Sequence, residues 1–117
     1  MMMENHNFGE VKISADVIAT IAGLAAVEIE GVVTTTSLTD KLLKNNGVKV
    51  VLEEDEVTLD IMMIVDYGVS IPDVAFKVQE NIKNTVETMT GLKVSQVNIH
   101  VQGISIKKEK ADKVNNQ

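Results

Sequence analysis

The stretch SIPDVAFKVQENIKNTVETMTGLKVSQVNIHVQGISI, residues 70–106, decides the fold: an amphipathic helix turns at a glycine and returns as one long strand. Val74, Val78, Ile82, Val86 and Met89 recur at spacings of four and three, which stacks them on one helical face. Lys77, Glu80, Lys83, Asn84 and Glu87 fill the other face. Ser70 and Asp73 have the spacing of a capping box, and Pro72 falls in the first turn, where no backbone donor is needed. Gly91 is the expected stop, because glycine takes the left-handed conformation that follows a helix end. Beyond it Val97, Ile99 and Val101 alternate with Asn98, His100 and Gln102, the period of a strand with one buried face. The apolar phase moves to even positions at Ile104 and Ile106, which predicts a bulge at Gly103.

Upstream, GEVKI (9–13) reads as a short strand, and Ser14 as the cap of a helix running to about Ile29. Val17, Ile18, Ile21, Leu24 and Ala25 form its expected apolar stripe; the remaining alanines and Gly23 make it narrow enough for close packing. Gly31 is expected to end it, Val32–Thr36 reads as a brief strand or an extended link, and Ser37–Asn46 as a helical turn or two anchored by Leu38, Leu42 and Leu43. Two alternating strands, 48–53 and 57–67, follow around the acidic hairpin loop Glu53–Glu56. The order β-α-(β)-β-β-α-β predicts an α+β fold, a mixed or antiparallel sheet of three to five strands with both helices on one face. We read one domain, residues 9–106, between disordered tails at 1–8 and 107–117.

The chain has 117 residues, enough to fold on one core without staples. It has no cysteine, which removes disulfides, thiolate metal sites and thiol catalysis together. The opening MMMENHNFGEVK has no apolar core behind a basic start, so no signal peptide is expected, and the longest uncharged apolar stretch, Val17–Val27, is shorter than the ~20 residues of a membrane span, so a cytoplasmic location is expected. Net charge is −6, and every basic residue is lysine. Arginine is the side chain that reads phosphates and guanine edges in a bidentate way, so both facts argue against nucleic acid. The tail KKEKADK carries a local excess of lysine and reads as a solvated end.

No residue set carries a recognisable reaction. The acids Glu53, Glu54, Asp55 and Glu56 are consecutive in a tight turn, so their side chains diverge where calcium would need them to converge. His100 has no nucleophile or orienting carboxylate at a recognisable spacing, and reads with Asn98 and Gln102 as a polar ladder or a polar contact site. The glycines are dispersed, with no phosphate-binding loop, and no cofactor site is expected. Val51, Met62 and Ile64 are apolar at positions that should face away from the helices. Either the segment Ser37–Asn46 covers them, or they form an exposed patch for self-association or a partner.

The phrases GEVKIS (9–14), VEIEGVV (27–33), GVKV (47–50), DYGVSIPDVAFKVQENIKNTVE (66–87) and MTGLKVSQVNIHVQGI (89–104) together closely resemble the alkaline shock protein family of bacterial envelope stress proteins. The resemblance covers about Gly9–Ile106. It implies a non-enzymatic cytoplasmic protein, found chiefly in Gram-positive bacteria, acting in cell-envelope homeostasis and alkaline or cell-wall stress. Some relatives are held beneath the membrane by a separate membrane-embedded partner; others are encoded beside fatty-acid synthesis enzymes. The family carries no established catalytic residues, so none is transferred.

Three function classes follow. The first is a protein-interaction or scaffold module using Val51, Met62, Ile64, Asn98, His100 and Gln102, partnered by itself or by a membrane-associated or lipid-synthesis protein. The second is a regulator or sensor of lipid-precursor metabolism, with a partner or an acyl ligand among Met62, Met63, Met89 and the alanine-rich helix. The third is RNA binding, because the element order is similar to KH-type domains, but the glycine-lined loop and basic flanks those require are missing.

Overall fold

A computed structural model describes residues 8–33 and 47–106. The expected turns at Ser37–Asn46 and most of both expected tails lie outside the described residues. The described elements are α1 (Ala15–Val27), β1 (Val48–Glu53), β2 (Glu56–Asp66), α2 (Ile71–Thr90) and β3 (Lys93–Ser105). They form the expected α+β fold: a mixed three-stranded sheet in the order β1-β2-β3, β1 antiparallel and β3 parallel to the central β2. Both helices lie on one sheet face, α1 over β1 and α2 over β3, in contact with each other.

The decisive stretch folds as its residues dictate. Ser70 accepts the Asp73 N–H at 3.4 Å, and Gly91 closes α2 at φ 77° with its N–H on the Glu87 carbonyl. Val74, Val78, Ile82 and Val86 are buried against Val57, Leu59, Ile61, Met63 and Val65, the odd-numbered face of β2. Met89 is not part of that row. It is 64 % exposed, and Leu92, just past the helix end, packs against the core instead. β3 uses 13 residues against 11 in β2, the extra two being bulges at Ser95 and Gln102. The second bulge, next to Gly103, moves the apolar phase to Ile104 as expected; the first falls among polar residues and leaves no mark in the pattern.

Three upstream expectations are corrected. Residues 9–13 form no strand: Val11 is exposed and only Ile13 packs against the core. Both edges of β2 are already occupied, one by β3 and the other by β1 and then Val32. On α1, the buried face is Ile18, Ala19, Ala22, Ala25 and Ala26, whereas Val17 and Leu24 are 48 % and 59 % exposed. A helix apolar on nearly every side has a weak periodic phase, and the small side chains let it approach α2 most closely. The acidic loop is only the two-residue turn Glu54-Asp55, with Glu54 at φ 57° and Leu52 of β1 partly exposed beside it.

The extended link after α1 is present at its start. Val32 bridges Val65 antiparallel, the Val33 N–H donates to the Ile64 carbonyl at 2.8 Å, and Asp66 donates to the Gly31 carbonyl at 2.9 Å. These bonds continue the β1 side of β2 where β1 itself has ended, since Met62 donates to Gly47 on the same side.

Polar side chains of α2 tie it to its surroundings. Asn81 donates to the Ala25 carbonyl and to Glu28, joining the two helices. Glu87 accepts from Lys83 at 2.8 Å and from the Val94 N–H at 2.9 Å. The Lys83 bond, then the Val94 bond, hold its carboxyl below the ordinary 4.5. A folded-state pKa depressed in this way adds stability above the unfolded value, and that stability is lost as pH falls through the folded one. In urea titrations over a pH series, Glu87→Gln should therefore show a shallower loss of stability below pH 4.5 than the parent chain. Parallel curves would show that the bond contributes nothing.

Candidate interaction surface

A β-strand sends alternate side chains to opposite faces, so burying the odd residues of β2 turns Thr58, Asp60, Met62, Ile64 and Asp66 toward the face that neither helix covers. The register places neighbours beside them. Thr58 lies between Val51 and Gln96, Asp60 between Lys49 and Asn98, Met62 next to His100, and Ile64 next to Gly103. Met62 and Ile64 lie beyond the end of β1, which stops opposite Ile61.

Five of the six residues expected at an interaction surface therefore share this face: Val51, Met62, Ile64, Asn98 and His100. They are not one patch. The row of Lys49, Asp60 and Asn98 separates Val51 from Met62. Gln102 is the inserted residue of the second bulge and stands outside the register. The apolar part is the short strip Met62–Ile64, both half-buried. Gly103 leaves it open on the β3 side: a Cβ at that glycine would sit 3.8 Å from Ile64 Cγ1, in ordinary contact, so a side chain there would shield the isoleucine.

The polar end of the face contains a carboxylate that spacing alone does not link to His100. Asp60 Oδ1 accepts from Asn98 Nδ2 at 3.0 Å and lies 3.5 Å from His100 Nε2. The Asn98 bond lowers the Asp60 pKa below its ordinary 3.8; partial desolvation opposes this, and His100 and Lys49 assist it. The pair belongs to adjacent strands forty positions apart, and only the β2–β3 register brings it together. Asp60 is thus a surface residue that the sequence reading missed, and its position on the outward row of β2 was the available signal. The arrangement offers hydrogen-bond donors and an acceptor beside an apolar strip, which suits a protein contact.

Other candidates are dispersed. The four hairpin acids are all exposed, and no group of three or more His, Cys, Asp or Glu able to hold a metal occurs among the described residues. Met62 faces the open side, Met63 lies beneath the helices and Met89 is exposed at the end of α2, so the three do not line one space. No helix among the described residues is long and apolar enough to cross a membrane.

Comparison with known proteins places the chain in a family. Residues 3–106 match the alkaline shock protein 23 family, described by a cell envelope-related function. The chain is 43 % identical over 109 residues to the uncharacterised protein YqhY of Bacillus subtilis, covering 86 % of this chain and 81 % of that one. It is 41 % identical over 109 residues to YloU of the same organism, covering 85 % and 91 %. It is also 28 % identical over 119 residues to a stress response regulator gls24 homolog of Streptococcus pyogenes, covering 93 % of this chain and 66 % of that one. No solved structure matches it. The match over nearly the whole chain, with the two Bacillus relatives, makes this protein a member of the alkaline shock protein 23 family, whose function is related to the cell envelope.

Proposed function

We propose that this protein is a non-enzymatic interaction module in the cell-envelope stress response, working by docking on another protein surface, including a second copy of itself. The observation that carries this reading is the face of the central strand that neither helix covers, where Met62 and Ile64 stand beside Gly103 and next to the Asp60–Asn98–His100 cluster. Apolar side chains rimmed by paired polar groups are the composition of a docking surface. The family's envelope-related function and the stress-response naming of a relative supply the biological setting. In this reading the protein acts in the cytoplasm and reaches the membrane only through a partner.

Substituting both Met62→Asp and Ile64→Asp tests it. The expected result is a folded protein, by circular dichroism and urea unfolding, that no longer associates in light scattering or captures the partners bound by the parent chain. Retained association and capture would remove the open face from the function, and an unfolded product would show that the strip is core.

A further inference from the structure

The back of α1 carries no charge and lies exposed. Val17, Thr20, Leu24 and Val27 form one row there, with Val17 exposed by 48 %, Leu24 by 59 % and Val27 by 38 %. Helical geometry puts this row opposite the buried face of Ile18, Ala22 and Ala25. Its polar member is satisfied within the helix, because the Thr20 hydroxyl donates to the Asp16 carbonyl at 3.0 Å. From Val17 to Val27 the chain has no charged residue, whereas the outer side of α2 carries Lys77, Glu80 and Lys83. A helix apolar on every side belongs in an interior, yet α1 is buried on one side only.

The row advances by three, four and three residues, the spacing of the a and d positions along which one helix packs on another. Acids stand at both ends of it. Asp16 precedes Val17, and Glu28 caps α1 at the end where the helix dipole is already negative, with Glu30 two residues on and no basic residue in the last turn. Asn81 donates to the Glu28 carboxylate at 2.9 Å and holds it there. Between Lys12 and Lys41 the sequence has no lysine to offset these charges.

We propose that the back of α1 docks an amphipathic helix of another protein, one that carries lysine or arginine beside its apolar row. The proposal rests on the interaction-module reading and extends it to a second surface, on the far side of the domain from the open sheet face. Local charge complementarity selects the occupant. A second copy of α1 would bring a row with the same acidic ends and no lysine. An anionic lipid surface takes helices whose polar residues are basic, which those of α1 are not, and its 13 residues are too few to span a bilayer. A basic amphipathic helix matches both the apolar row and its acidic ends.

Two labelled peptides of about three heptads test it on the full chain by fluorescence anisotropy, both with leucine at a and d, one with lysine and the other with glutamate at e and g. The lysine peptide is expected to bind roughly tenfold or more tightly than the glutamate peptide. Leu24→Asp should weaken it roughly tenfold or more although the substitution adds negative charge, which separates docking from adsorption onto an acidic protein. Glu28→Gln with Glu30→Gln, folded by circular dichroism, should lose most of the preference between the peptides. No binding of the lysine peptide up to about 1 mM, a negligible affinity, would overturn the proposal. So would equal binding by the parent and Leu24→Asp chains. A parent dimer in light scattering, or retention on phosphatidylglycerol vesicles, that Leu24→Asp abolishes would overturn it by giving the row to a second copy or to lipid. Peptide binding lost only in the Met62→Asp, Ile64→Asp protein would overturn it too, while sustaining the open-face reading.

Discussion

Replacing Gly31 by alanine is expected to cost the fold about 2–4 kcal/mol, the combined scale of a strained backbone and a crowded core. Gly31 is buried at φ +105°, a conformation that side-chain-bearing residues rarely adopt. A Cβ there would lie 3.1 Å from Val74 Cγ2 and 3.4 Å from Val69 Cγ1. Val74 is held in the core by its position on α2, so relief requires the turn itself to move. That movement would loosen the Asp66 bond to the Gly31 carbonyl and, with it, the Val32 bridge. Gly68→Ala is the control: its φ is +98°, but nothing lies within 4 Å of the added carbon, so it bears the backbone term alone. Urea midpoints for the two variants at unchanged m separate the terms. Equal losses would mean that the contact with Val74 is readily relieved.

The second large effect reverses what hydrophobicity suggests for α1. Ala22→Leu should destabilise by about 1–3 kcal/mol or more, because it forces extra methylenes into a seam that is closed around a methyl group. Ala22 is fully buried within the core that also contains Ala19, Ala25 and Ala26. Leu24→Ala, on the 59 % exposed side, should stay within about 0.5 kcal/mol of the parent. The comparison needs only thermal and urea unfolding. A large loss for Leu24→Ala with a neutral Ala22→Leu would show that α1 is rotated from the arrangement described.

These two sites mark where the sequence was readable and where it was not. α2 and β3 were legible because each signal agreed with the next: a cap at Ser70, one apolar row from Val74 to Val86, a left-handed stop at Gly91 and a phase change beside the Gln102 bulge. On α1 nearly every residue is apolar, so periodicity indicates a helix without fixing its inward face. There size decides, because two helices meeting over a three-stranded sheet favour the residues that let them come closest. Strand GEVKI failed for a related reason. Alternation of two apolar residues shows only that a segment can be extended, and pairing depends on a vacant edge beside it.

The candidate surface was legible to the same degree as the register. Met62 and Ile64 stood out because they break the polar row of β2. Asp60 did not, because a carboxylate on an outward position is ordinary until β3 places Asn98 and His100 next to it. Sequence separation therefore hid the polar end of the face while composition revealed its apolar end.

The bonds of Val33 to Ile64 and of Gly47 to Met62 have a consequence for how this domain can vary. The chain leaves the sheet and rejoins it on one side of one strand, at positions two residues apart. The pairing of Val33 and of Gly47 with β2 is therefore fixed at each of those residues separately. Because closing a longer loop grows costlier only slowly, about 0.6 kcal/mol for each doubling, residues inserted between Val33 and Gly47 should leave the sheet in register. The domain thus has a place where new contacts can be added without renegotiating its core.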